Sequence, residues 1–211
     1  NTFWSHTVAH HPDAWIARNN LGLALALKND FAGAVREYEY ALRVRPDYFE
    51  ARMNLGNALR QLGRAEDGIA ALRSAIQLRP NVSLAHYNLG LALLALNRPD
   101  EAYASIERAI QLKPNHADSL DVRGELLRVA GRHDEAQRDF HAALRSDPRH
   151  AYAHHHLAIS LGATGRAPES LAYYETALRL KPDYLEARNN YAAALVAAGR
   201  GAEALARLAR V

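Results

Sequence analysis

Between residues 49 and 82, apolar side chains fall at helical spacing twice in succession. Ala51, Leu55, Ala58 and Leu62 make one stripe, and Ile69, Leu72, Ala75 and Ile76 make a second. Gly63 stands between them, a residue that ends a helix at no cost because it adopts a left-handed backbone freely. Pro80 closes the second stripe, since proline lacks an N–H and clashes with the turn before it. The pattern predicts a helix, a tight turn, a second helix and a stop.

The same pattern recurs along the whole chain. Prolines stand at Pro12, Pro46, Pro80, Pro114, Pro148 and Pro182, each 34 residues after the last, with no insertion or deletion. The turn column that holds Gly63 also holds Asn29, Asn97, Gly131, Gly165 and Gly199, and asparagine tolerates left-handed geometry better than most residues. Gly22, Gly56, Gly90 and Gly124, followed by Ala158 and Ala192, keep a first-helix column small. Two second-helix columns are small as well: Ala34, Gly68, Ala102, Ala136, Ser170 and Ala204, then Ala41, Ala75, Ala109, Ala143 and Ala177. Tyr38, Leu72, Ile106, Phe140, Tyr174 and Leu208 form a large apolar column. Columns held in phase over so many periods define a true internal repeat. Pro99 and Pro168 fall instead at the start of a second helix, where a missing N–H costs little.

The small columns predict close packing. A glycine or alanine on the first helix, set against an alanine on the second, lets the two backbones approach. Ala102→Leu or Gly56→Leu is expected to overpack the hairpin by about 1–3 kcal/mol. One hairpin cannot cover its own apolar faces, so stability is expected to come from stacking on its neighbours.

These residues resemble the tetratricopeptide repeat family, whose motif is matched in the second unit by Asn54, Leu55, Gly56, Leu59, Gly68, Leu72, Ala75 and Pro80. The resemblance covers essentially the entire chain. It implies an all-α fold, a right-handed α-solenoid or superhelix of 34-residue helix-turn-helix repeats forming a single array over 1–211. Full repeats are expected at 15–48, 49–82, 83–116, 117–150 and 151–184. Residues 1–14 read as the second helix of a preceding repeat, with Trp4 in its large apolar column, and residues 185–211 as a truncated sixth repeat. The chain opens at Asn1 and stops within a helical pattern at Val211, as expected of a segment of a longer protein.

The resemblance further implies a concave surface lined by first helices, with positions two, five, six, nine and thirteen of each repeat facing inward. Position six reads Asn20, Asn54, Asn88, Val122, His156 and Asn190. A row of asparagines is similar to the ladder in the repeat region of O-linked N-acetylglucosamine transferases, and the row departs from that ladder at Val122 and His156. An amide carries both donor and acceptor, so it pairs with the backbone of an extended segment without reading side chains. The same column also suits asparagines that bond within the repeat itself, and both readings stand at this point. Leu84, Tyr87, Leu91 and Leu94 make the third repeat's lining apolar, beside Met53, Asn57 and Gln61 of the second; exposed apolar surface on such a wall marks an interaction site. In the fourth repeat Asp118, Asp121 and Glu125 turn the lining acidic, which favours a basic segment locally. The candidate peptide-binding set is therefore Asn20, Asn54, Asn57, Asn88, Tyr87, Leu91, Glu125, His156 and Asn190. A clamp for a C-terminal carboxylate needs lysine or arginine where this chain has Asn19, Leu84 and Asn88, or Met53, Asp118 and Val122.

Composition narrows the function classes. There is no cysteine, so thiolate metal sites and disulfides are excluded. The formal net charge is +3 and acids alternate with bases throughout, whereas nucleic-acid binders gather positive charge into a patch. No apolar run approaches the length that spans a bilayer, and no signal peptide is visible. Neither a Gly-rich phosphate loop nor a nucleophile elbow is present, so no enzyme activity and no cofactor are expected. His150, His154, His155 and His156 are the one run suggesting a metal, but no further ligand follows at useful spacing. They are expected at the surface and in the groove. Trp15 is expected to pack or cap an end. The leading expectation is a scaffold binding a protein or peptide segment. Two alternatives stay open. One is a substrate-selecting arm of a larger enzyme, such as an O-linked glycosyltransferase, or of a bacterial membrane protein, whose repeat arrays the opening from Thr2-Phe3-Trp4 is similar to. The other is end-to-end self-association through incomplete caps at Trp4, Leu205, Leu208 and Val211.

Overall fold

A computed structural model describes residues 14–208. The helix expected over 1–14 with Trp4, and the side chains of Leu208 and Val211, fall outside the described residues. Those that are described form helices alone, paired in order. They are α1 (Trp15–Ala26), α2 (Phe31–Val44), α3 (Phe49–Gln61), α4 (Ala65–Leu78), α5 (Ser83–Ala95) and α6 (Pro99–Leu112). They continue with α7 (Ala117–Val129), α8 (His133–Ser146), α9 (Ala151–Ala163), α10 (Ala167–Leu180), α11 (Leu185–Ala197) and α12 (Gly201–Leu208). None is long and apolar enough to cross a membrane.

Each stop signal acts as its chemistry requires. Asn29 and Asn97 take φ of 62° and 55°, and Gly63, Gly131, Gly165 and Gly199 take 76–78°. At Gly63 the turn is sealed by Gly63 N–H to the Arg60 carbonyl and Arg64 N–H to the Leu59 carbonyl, the paired closure of a left-handed helix end. Residues preceding the repeat prolines leave the helix with ψ of 85–95°, because proline's ring excludes helical geometry from its predecessor. Pro99 opens α6 and Pro168 lies in the first turn of α10.

The chain divides into two compact units, one through Lys113 and one from Pro114. Within each unit a first helix packs on its own second helix and on the next hairpin. First helices also touch one another, α1 to α3 to α5 in the first unit and α7 to α9 to α11 in the second, while second helices share no comparable contact. The first-helix layer is therefore the tighter side of each stack.

The packing of the small columns differs in one respect from the sequence expectation. The first-helix glycine makes room mainly for the large apolar residue, four positions beyond the small second-helix residue. A Cβ at Gly22, Gly90 or Gly124 would lie 2.5–2.6 Å from Tyr38, Ile106 or Phe140. In the second repeat two backbones also press together, a Cβ at Gly68 falling 2.7 Å from the Gly56 carbonyl oxygen. Ala51, Ala58, Ile69, Leu72 and Ala75 are buried as the stripes require, but Leu62, just past the end of α3, is 40% exposed.

Candidate functional site

In the first unit the wall is built by α1, α3 and α5. Helical spacing places Asn19 and Asn20, Asn54 and Asn57, and Tyr87, Asn88 and Leu91 along it. The asparagine row is partly engaged with itself. Asn54 Nδ2 donates to Asn19 Oδ1 at 3.0 Å, and Asn19 Nδ2 donates to Asn20 Oδ1 at 3.4 Å. Asn57 Oδ1 accepts from Arg60 at 2.9 Å. Asn54 thus fastens its hairpin to the one before, reaching the fifth position of the preceding repeat. Asn88 has no such partner. Its register neighbour is Met53, which offers no amide, and Asn88 makes no side-chain hydrogen bond among the described residues. Asn88 is only 9% exposed, and its amide is not among the fully sealed atoms without a partner, which among the described residues are Arg60 Nε and His154 Nδ1.

Apolar side chains flank this amide. Leu84 is 44% exposed and Tyr87, Leu91 and Leu94 are half-buried on the same helix. Further along the wall, Ile16, Leu23 and Leu27 are exposed on or just beyond α1; sequence reasoning did not single them out. The signal was there, since position two is Ile16 and Leu84, and positions nine and thirteen of the first repeat are both leucine. Trp15 lies edge-on to Tyr48 at 4.6 Å with the Arg45 guanidinium 4.4 Å above its ring, a packing role at the repeat boundary.

The second unit uses the corresponding positions differently. His156 Nδ1 lies 2.8 Å from Asp121 Oδ1, and Asn190 Nδ2 lies 3.0 Å from His155 Nε2. Both pairs repeat the 35-residue offset of Asn19 and Asn54. Glu125 is held at both carboxylate oxygens by Arg128, at 2.7 and 2.6 Å, and Asp118 Oδ1 lies 3.0 Å from His150 Nε2. The lining acids of the fourth repeat, Asp118, Asp121 and Glu125, are therefore matched by internal partners. Asp121 holds the His156 imidazole above its ordinary range by hydrogen bond and charge, although burial alone pulls the other way. His155 was expected at the surface or in the groove; it is fully buried, its Nδ1 2.8 Å from the Tyr184 hydroxyl. Tyr184 supplies the bulk and the hydroxyl that make a buried histidine tolerable, a partnership across the repeat boundary that the local sequence does not display. Among the described residues no three histidine or carboxylate groups converge as a metal site.

One cleft of about 290 Å³ opens in this unit, lined by Ile159, Gly162, Ala167, Tyr174, Asn190, Ala193, Ala194 and Ala197. It exists because small residues stand where other repeats carry larger ones: Gly162 corresponds to Arg60, Leu94 and Arg128, and Ala193 to Asn57, Leu91 and Glu125.

Stacked hairpins with a 34-residue period, left-handed turns and a first-helix wall define a helical repeat protein. Models of the tetratricopeptide repeat match residues 5–38, 28–83, 56–117 and 122–183, and a second model of that description matches 161–211. The chain belongs to the tetratricopeptide repeat family. No curated protein matches it in sequence. Among solved structures it is similar to PilW, a widely conserved type IV pilus biogenesis factor, with TM-score 0.83 and 18% identity over 93% of this chain and 91% of that one. It is similar to MamA, with TM-score 0.65 and 25% identity over 78% of this chain and 96% of the other. A third is YrrB, a tetratricopeptide repeat protein with an unusual peptide-binding site, with TM-score 0.64 and 22% identity over 90% of this chain and 97% of that one.

Proposed function

We propose that the chain is a non-catalytic scaffold that binds an extended protein segment along its first-helix wall, with the site centred on α5 in the first unit. One observation carries this reading. Asn88 presents an amide with no internal partner, between the half-buried Tyr87 and Leu91 and the exposed Leu84. Such a group gains hydrogen bonds from the backbone of a guest, while the leucines and tyrosine gain from covering its apolar side chains. Asn20, Asn54 and Asn57 border the same site, already bonded to neighbours through one amide atom each. In the second unit Glu125, His156 and Asn190 shape and support the wall rather than offering unmatched groups. The peptide-binding site of YrrB, a protein of the same fold, supports the class of guest.

The test is to select peptides from a random display library on the whole chain and measure one selected peptide by fluorescence anisotropy. Leu84→Asp and Leu91→Asp are expected to weaken it by more than tenfold each. Unchanged affinity in both variants, with loss on substitution of the second-helix residue Arg73 instead, would overturn the reading.

A further inference from the structure

Two adjacent side chains of α9 fasten it to two different hairpins. His156 reaches back to Asp121 of α7, and His155 reaches forward to Tyr184, in the turn after α10, and to Asn190 of α11. The imidazole rings lie 5.4 Å apart. Their surroundings differ sharply. Asp121 is a nearly buried carboxylate that gains from a cationic partner. His155 is fully enclosed and hydrogen-bonds only neutral groups, Tyr184 and Asn190, with the Tyr184 ring at 4.7 Å and the Tyr174 ring at 5.9 Å.

We propose that these histidines form a proton-controlled joint, in which His156 grips the preceding hairpin when charged and His155 grips the last hairpin, α11–α12, when neutral, so that acid loosens the last hairpin alone.

The hydrogen-bond chemistry fits. A neutral imidazole has one donor and one acceptor nitrogen. With Nε2 accepting from Asn190, Nδ1–H donates to the Tyr184 oxygen, and both nitrogens are satisfied. Adding a proton at Nε2 sets N–H against the Asn190 amide hydrogens and places charge in a dry site beside His156. The groups facing this joint are Asp121, Glu125 and Arg128 from α7, Tyr152 from α9, Tyr174 from α10, Lys181 and Tyr184 from the following turn and Glu186 from α11, with Lys181 Nζ 5.1 Å from the Tyr184 ring; from α8 the Phe140 ring lies 5.8 Å from His156. Burial first, then the charge of His156, push His155 down to about 4.

The two histidines therefore contribute with opposite sign. For His155 the folded joint disfavours the proton, so its contribution is complete above the ordinary value of 6.5 and is lost as pH falls towards about 4. For His156 the folded joint favours the proton, so its contribution is complete below 6.5 and fades as pH rises through its raised value.

Amide hydrogen exchange of the whole chain at pH 7 and pH 5, corrected for the intrinsic rate, tests this directly. The opening equilibrium of α11–α12 relative to α7–α8 is expected to rise roughly 20-fold between those pH values, and His155→Gln is expected to flatten the rise. A ratio that does not change, or one that changes equally in His155→Gln, overturns the proposal. Should that variant not fold, imidazole titration of the unaltered chain by NMR decides. Midpoints below 5 for His155 and above 6.5 for His156 support the joint, and a His155 midpoint near 6.5 overturns it.

Discussion

The first and second units are built from the same hairpin, yet they differ at position six of the repeat, where Asn88 of the first unit lacks the partner that Asn54, His156 and Asn190 find. In the second unit His156 and Asn190 both find a polar partner at position five of the preceding repeat, Asp121 and His155. In the first unit Asn54 finds Asn19, but 35 positions before Asn88 stands Met53, which offers no amide, and Asn88 stays unbonded among the described residues. A residue at this position fastens its repeat where the preceding one offers a polar partner; under the proposed function, one without such a partner is left for a guest. Polar residues on a repeat wall do not declare their role by type or column. Where the residue 35 positions back is polar, the pair is bonded.

The comparison sharpens under substitution. The largest effect is expected for Gly56→Leu, whose Cβ would sit 2.5 Å from Leu72 and 2.9 Å from the Gly68 carbonyl. Because the second contact is backbone, relief is poor, and a loss of about 3 kcal/mol is expected from chemical denaturation. Next is Tyr184→Phe in the second unit, which leaves a buried His155 nitrogen without its partner. That costs about 1–3 kcal/mol, read as a lower melting temperature. Smaller still, a double-mutant cycle of Asn19→Ala with Asn54→Ala should show a coupling of about 0.5–1.5 kcal/mol. The matched cycle of Met53→Ala with Asn88→Ala should show markedly less, because no hydrogen bond joins that pair; equal couplings would break the comparison. Smallest is Gly162→Ala, where a Cβ meets nothing within 4 Å. Removing a helical glycine there should stabilise the chain by about 0.5–1 kcal/mol.

Much of the architecture is legible in the sequence because it is local and periodic. Gly63 and Asn97 mark left-handed turns, Pro80 and Pro114 mark helix ends, and Ala75 and Ala109 mark close contacts, each within its own 34-residue repeat. What the sequence hides is which side chains meet, within a hairpin and between repeats. Gly90 faces Ile106 more closely than Ala102, because the large side chain lies over the glycine. His155 reads as one of a run of surface histidines, and only Tyr184, 29 residues later, shows why it is buried. The fasteners were within reach of a reading at offset 35, where Asn19 with Asn54 and Asp121 with His156 stand out as polar pairs.

The central claim is that an unpaired position-six amide serves a guest while a paired one serves the fold. Affinity and stability measured side by side for Asn88→Ala and Asn190→Ala, against one selected peptide, test it most directly. The account predicts that Asn88→Ala weakens the peptide about tenfold with little change in stability, and that Asn190→Ala costs about 1–3 kcal/mol of stability through the orphaned His155. Equal losses of stability in the two variants, with peptide affinity untouched by Asn88→Ala, would contradict it.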